Sequence, residues 1–379
     1  MRAVTHQAKS TLPCVLLAGG GTGGHLFPGV AVAQEWRRRY PDAPVVFAGT
    51  KRGLEARVVP REAFGLEQIR SAGLVGRSRL ETLRSLALVP LSFWDAWKVL
   101  RRRRPGLVIG LGGYSSGPFV LLAAATGLPT IVLEQNAVPG LTNRLVARVT
   151  RATAVSYEAA LPYFGEKGFV SGNPVRAVFF DVPAPAPTPA TVHVLVLGGS
   201  QGAHAINIAM TAGVATLAAS PRPIRVTHQT GSADLDPVLA VYRAAGITAR
   251  VEVFLDAVEE DMASADLVVC RAGATTLAEV AAAGRAAVVV PFPHAAHDHQ
   301  RRNAAVMAEA GAGEVIEQSG LNARLATRVV ALASDDARRV AMGAASRRLA
   351  RPGAARAIVD RAEQLLGLRD EMRAVTGVL

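Results

Sequence analysis

The stretch Asp266–Asn303, DLVVCRAGATTLAEVAAAGRAAVVVPFPHAAHDHQRRN, decides how the chain is read. Its first apolar run, Leu267 to Cys270, has the length and continuity of a strand buried on both faces. Arg271-Ala272-Gly273 turns the chain, and Thr275 and Thr276 stand where a helix starts. A second apolar run, Ala287 to Val290, ends at Pro291. Strand, glycine turn, helix and strand form a βαβ unit, which puts the turn at the carboxyl edge of a parallel sheet. Open α/β sheets bind ligands at that edge. Glu279 stands three residues after Thr276, and the polar loop His294 to Gln300 leaves the next strand on the same side. A helix N-terminus, a carboxylate and polar side chains there make a seat for a sugar nucleotide.

The same rhythm runs outward in both directions. Toward the amino terminus, strands are expected at 14–18, 45–49, 107–112, 130–135, 152–156 and 169–171, with helices at 28–39, 119–126 and 141–149 between them. Asp181 to Thr191, DVPAPAPTPAT, cannot pair in a sheet and favours an extended connector. Beyond it the rhythm restarts, with strands at 192–197, 224–228, 251–255, 267–270, 287–290 and 314–316 and a helix from the second Gly loop to about Leu217. The expected fold is α/β: two Rossmann-like, doubly wound domains with an interdomain cleft. Residues 1–180 form the N-terminal Rossmann-like domain, 181–191 the linker and 192–353 the C-terminal Rossmann-like domain. A helix at about 354–379 packs back on the first.

Composition agrees. A chain of 379 residues suffices for two cores, and half of its residues are apolar but only 5% aromatic, so those cores are Val, Leu and Ala. The two cysteines, Cys14 and Cys270, both fall in β runs and offer no disulfide framework. No run reaches the roughly 20 apolar residues of a membrane-spanning helix. The net charge of +12 points to an anionic partner.

Two glycine loops follow the first strand of each domain. Gly19, Gly21 and Gly24 match G-x-G-x-x-G, yet the second strand ends Phe47-Ala48-Gly49 without the ribose-binding acid of a dinucleotide site, the next acid being Glu55. Such loops also let backbone N–H groups approach an anion. His25, where the first helix begins, either packs at the turn or acts at the reacting centre. In the second loop, Gly198 to Gly202, Ser200 caps its helix, binds a phosphate, or does both. Glu279 reads as one half of a capping box with Thr276 or as a grip on ribose hydroxyls. His294, His297, Asp298 and His299 sit on one loop without a second ligand cluster, so no metal is assigned. Asp234-Leu-Asp236 resembles a metal-binding D-x-D but falls at a helix start, where Asp is ordinary.

From Leu74 to Arg104 the sequence mixes Leu74, Leu80, Phe93, Trp94 and Trp97 with Arg77, Arg79, Arg84, Lys98 and Arg101 to Arg104; Pro90 divides or kinks the helix. The stretch is either a core helix with a basic end or an apolar patch rimmed by cations for an anionic bilayer. No nucleic-acid-binding module is present, and no nucleic-acid partner is assigned.

Eight segments in order carry a family likeness: GGGTGGHLFP (19–28), GLGGYSSGP (110–118), LEQNAVPGLTNR (133–144), SGNPVR (171–176), LGGSQGAHAIN (197–207), HQTG (228–231), CRAGATTLAE (270–279) and DHQRRNA (298–304). Through them nearly the whole chain resembles the MurG family of bacterial lipid-linked N-acetylglucosamine transferases. The resemblance implies the GT-B fold and transfer of GlcNAc from UDP-GlcNAc to the MurNAc C4 hydroxyl of lipid I, giving lipid II. It implies no cofactor, and a peripheral place on the cytoplasmic face of the plasma membrane. By motif match Thr22, Gly23 and Gly24 lie near the sugar and Asn136 on its hydroxyls. Arg176 and Ser200 hold the diphosphate, and Leu255 lines the uracil pocket. Ala274, Thr275, Thr276, Leu277, Ala278 and Glu279 wrap the nucleoside, and Gln300 binds GlcNAc. His25 is the first candidate base and Glu134 the second. The family often has His where this chain has Leu133, and the DHQ loop varies in length, so His299 and Gln300 could trade places.

Overall fold

The computed structural model describes residues 12–50, 53–70, 88–186, 188–199, 202–295 and 298–368. Strands β1 (Val15–Gly19), β2 (Val45–Thr50), β3 (Gly65–Ile69), β4 (Leu107–Gly112), β5 (Thr130–Glu134), β6 (Ala152–Val155) and β7 (Gly168–Val170) form one parallel sheet, in the order β3-β2-β1-β4-β5-β6-β7. Helices α1 (Gly23–Arg39), α2 (Glu55–Arg61), α3 (Val89–Arg103), α4 (Gly117–Ala125) and α5 (Leu141–Val146) connect them. The second sheet has β8 (Val192–Leu197), β9 (Ile224–Gln229), β10 (Thr248–Glu252), β11 (Leu267–Arg271), β12 (Ala286–Val290) and β13 (Gly313–Val315), in the order β10-β9-β8-β11-β12-β13. Around it lie α6 (His204–Ala212), α7 (Val214–Ala218), α8 (Leu235–Ala244), α9 (Val258–Ser264), α10 (Ala274–Ala283), α11 (His299–Glu309), α12 (Leu321–Ser334) and α13 (Asp336–Leu349). Strand order reverses between β1 and β4 and between β8 and β11, and both Gly loops leave the sheets at these switch points.

The last helix, α14 (Ala354–Leu366), returns to the first sheet. Its Ile358, Val359 and Ala362 share a core with Val30, Trp36 and Leu107. Arg39 of α1 secures it through Asp360 and Glu363, both at 2.7 Å. The start of the proline-rich connector is pinned to the second half, because Arg285 donates to Pro183 O and Arg347 to Phe180 O and Val182 O.

Several elements differ from expectation for local reasons. β3 is an edge strand with alternating exposure, so GLEQI shows no apolar run. β10, an edge strand of the second sheet, alternates likewise and starts three residues before its expected start. The helix expected to run to Leu217 breaks at Gly213, where a Cβ would stand 2.2 Å from that of Ala326. Pro90 opens α3 instead of dividing it. Helix α1 starts at Gly23, which places Pro28 inside it. Proline has no N–H to give to the carbonyl four residues back. Gly24 O is thereby left for another donor, and Thr275 Oγ of the second half takes it at 2.7 Å.

Candidate active site

The two carboxyl edges enclose a cleft of about 590 Å³. Its second-half wall is built on the Gly198–Gly202 loop and the N-terminus of α6, an arrangement suited to an anion. Gly202 must be glycine: φ is +78°, and a Cβ would come 2.0 Å from Thr230 O. Gln229, at the end of β9, donates to Gly199 O and accepts from Leu255 N at 3.1 Å. One neutral amide therefore joins the Gly loop to the turn that brings Leu255 to the cleft. Behind it, buried His228 is pushed down to about 3 by burial and stays neutral. Its ring nitrogens meet Tyr242 Oη at 3.0 Å and Asn207 Oδ1 at 2.9 Å, while Asn207 Nδ2 donates to Thr230 O and Asp234. Asp234 also meets His204 Nδ1 at 2.9 Å, so the first Asp of the D-x-D pair is engaged within the fold. Ser200 lies outside the described residues.

Helix α10 has Gly273 as its N-cap, with no side-chain cap. The helix starts too early for Thr276 and Glu279 to form a capping box. Thr275, Thr276 and Glu279 line the cleft. Ala274, Leu277 and Ala278 do not: helical spacing turns them away, and Leu277 enters the core with Val280 and Leu255. Glu279 is pushed up to about 7, chiefly by burial, with Arg176 opposing and Glu259 adding to the shift. Arg176, also buried, forms a two-pronged pair with Glu259, its Nη2 at 2.8 Å, and lies over the rings of Phe27 and Phe179. Gln300 lines the cleft and accepts from Phe292 N at 3.0 Å.

Thr22, Gly23 and Gly24 form the opposing wall. His25 is half-buried and packs on Gly112, where a Cβ would meet its ring at 2.8 Å. Burial, reinforced by His299 and opposed by Glu55, lowers it to about 4, so the imidazole is neutral near pH 7 and able to accept a proton. Glu134, the second candidate base, does not line the cleft. It is buried, and its two oxygens accept from Asn136 N, Asn136 Nδ2, Gly140 N and Asn143 Nδ2. These four bonds tie the carboxylate to the 136–143 segment. Burial raises its pKa.

Two contacts that sequence reading missed join the halves here. Asn303 of α11 is fully buried; it accepts from Ala137 N at 3.1 Å and donates to Asn136 Oδ1 and Ala272 O. Thr275, besides its bond to Gly24 O, accepts from Asn173 Nδ2 at 3.1 Å. At the rim Asp256 meets Arg61 at 2.7 Å and Arg57 at 3.3 Å.

On a separate surface, α3 presents stacked Trp94 and Trp97, ring centroids 4.9 Å apart and both exposed, with Lys98 and Arg101 beside them. Phe93 is half-buried, and Leu74 and Leu80 lie outside the described residues.

Comparison with known proteins gives this geometry a family. Residues 15–155 match the glycosyltransferase family 28 N-terminal domain, and residues 193–359 its C-terminal domain. A protein of Geobacter sulfurreducens, 44% identical over 352 residues (91% of this chain, 97% of that protein), is named UDP-N-acetylglucosamine--N-acetylmuramyl-(pentapeptide) pyrophosphoryl-undecaprenol N-acetylglucosamine transferase. One from Anaeromyxobacter dehalogenans with the same name is 44% identical over 358 residues, 94% of each chain. The crystal structure of Acinetobacter baumannii MurG superposes with a TM-score of 0.71 at 28% identity, covering 93% of this chain and 99% of that one. The chain belongs to this MurG family of N-acetylglucosamine transferases, with the GT-B arrangement of two family 28 domains.

Proposed function

We propose that this protein moves GlcNAc from UDP-GlcNAc to the C4 hydroxyl of MurNAc-pentapeptide on undecaprenyl pyrophosphate, converting lipid I to lipid II. Family membership supports the reaction. The observation that carries the site reading is one cleft bounded by the N-termini of α1, α6 and α10, with Glu279 on one wall and Thr22–Gly24 on the other. The uracil lies by Leu255, and ionised Glu279 takes the ribose hydroxyls. The diphosphate lies against the second Gly loop and the start of α6, with Ser200 beside it. Arg176 exchanges Glu259 for it. Asn136 and Gln300 meet the sugar.

The acceptor oxygen attacks the anomeric carbon as the bond to the diphosphate breaks, which inverts that carbon. Neutral His25 takes the hydroxyl proton, a contribution of about 10²–10⁴-fold. Negative charge growing on the departing UDP meets the α6 N-terminus and Arg176. Among the described residues no helix is long and apolar enough to cross a membrane. The exposed Trp94–Trp97 face, rimmed by cations, suits peripheral contact with an anionic bilayer on the cytoplasmic side, where the lipid-borne acceptor is met.

Radiolabelled UDP-GlcNAc with a short-chain lipid I analogue tests the reading. Label should appear in the lipid-linked disaccharide. Failure with this pair, together with transfer from another UDP-sugar or to a diacylglycerol, would replace it.

A further inference from the structure

The first Gly loop rests on a charge that the reaction above leaves without a task. Glu55, the first residue of α2, is fully buried. Its Oε2 accepts from Gly21 N at 2.9 Å, and its Oε1 from Thr50 N at 2.6 Å and Thr50 Oγ at 2.9 Å. All three donors are neutral. Glycine backbone wraps the side chain: a Cβ at Gly53, Gly49 or Gly20 would come within 2.2, 2.5 or 3.0 Å of it. Among the described residues no cation pairs with it, and burying a carboxylate in this way is costly even when it is hydrogen-bonded. A neutral side chain could tie a loop down with less desolvation, so the charge needs a reason beyond holding shape.

The surroundings supply one. Gly21 leads directly into the Thr22–Gly24 turn at the cleft wall, and His25 follows one residue later. Positive charge arises in this neighbourhood twice during transfer, on His25 as it takes the proton and on the sugar ring as UDP leaves. Glu55 does not line the cleft. It favours protonation of His25 through space, against the burial that disfavours it.

We propose that Glu55 is a positioning residue for glycosyl transfer: it sets the first Gly loop through Gly21 and places a negative charge beneath the groups that become positive in the transition state. This rests on the transfer reaction proposed above. A charge that acts in the transition state lowers kcat when removed, whereas damage to the loop alone also disturbs substrate binding.

The test is Glu55→Gln in the full chain, with kcat and acceptor KM from the transfer assay and UDP affinity from calorimetry. The expected result is kcat lower by about 10–100-fold, with UDP affinity and acceptor KM within about threefold of the parent. A kcat within twofold of the parent overturns the proposal, as does a parallel loss of kcat and UDP affinity. Should Glu55→Gln not fold, Thr50→Val removes one donor to the carboxylate and leaves the charge less well held. A kcat lower by about three- to tenfold at unchanged UDP affinity then supports the proposal, and an unchanged kcat contradicts it. A parent chain that transfers nothing would count against the reaction itself, which separates the two failures.

Discussion

The two Gly loops leave their sheets at equivalent switch points, yet different side chains lie beneath them. Under the second is Gln229, an uncharged amide that joins Gly199 to Leu255. Under the first is Glu55, a buried carboxylate that occupies the Gly21 N–H. A neutral support leaves the α6 N-terminus free to attract a diphosphate. A negative support disfavours a phosphate nearby and favours developing positive charge. On the proposed reaction, the same backbone device is divided between leaving group and nucleophile by one side chain in each half. Repetition of a motif within a chain need not mean repetition of its task.

Three substitutions or conditions break or sharpen this contrast. The largest effect belongs to His25 on the first-loop side. His25→Ala should lower kcat by about 10²–10⁴-fold while calorimetric UDP affinity stays within about twofold; an equal loss of affinity would make it a binding residue. The second concerns Glu279 on the nucleotide side, with its carboxyl raised to about 7. A carboxylate whose folded pKa is raised stabilises the fold below its unfolded pKa, and that contribution is lost as pH rises through about 7. The Glu279 contribution to unliganded stability should therefore fall between about pH 4.5 and about pH 7. UDP-GlcNAc affinity, which on the proposed reading uses the ionised form, should rise about tenfold between about pH 6 and about pH 8. Calorimetry against pH, with Glu279→Gln as a flat control, checks both signs. The smallest effect on chemistry belongs to α3. Trp94→Ser with Trp97→Ser should reduce flotation with anionic liposomes and leave turnover of a soluble acceptor within about twofold, since neither tryptophan lines the cleft.

Much of the fold was legible because buried parallel strands are continuous apolar runs and the Gly loops punctuate them. β4 and β8 have the bounds that the sequence suggests. The edge strands β3 and β10 were missed or shifted because half of each faces solvent. At the site, the sequence indicated which segments matter but not which side chain meets which. Glu55 entered the sequence reading only as an acid too late in the chain to bind a ribose. Its partner Gly21 is 34 positions away, and that pairing is created by β2 and α2 folding under the loop. Asn303 is harder still, since it bonds Ala137 across the two halves at a separation of 166 residues. Helical spacing explains why only Thr275, Thr276 and Glu279 of the 274–279 segment line the cleft. A contiguous motif had suggested all six. For Glu134 the motif shows an acid but not its surroundings, in which four donors meet its two oxygens.

The division of labour between the loops is tested most directly by giving the second the charge of the first. Calorimetry of Gln229→Glu at about pH 8 should show UDP binding weakened by about 2–3 kcal/mol, on the order of 100-fold. Uridine, which lacks the diphosphate, should change by less than about threefold, and Gln229→Leu reports what the lost hydrogen bonds contribute without charge. If Gln229→Glu binds UDP as tightly as the parent, the diphosphate does not lie on this loop and the account is wrong.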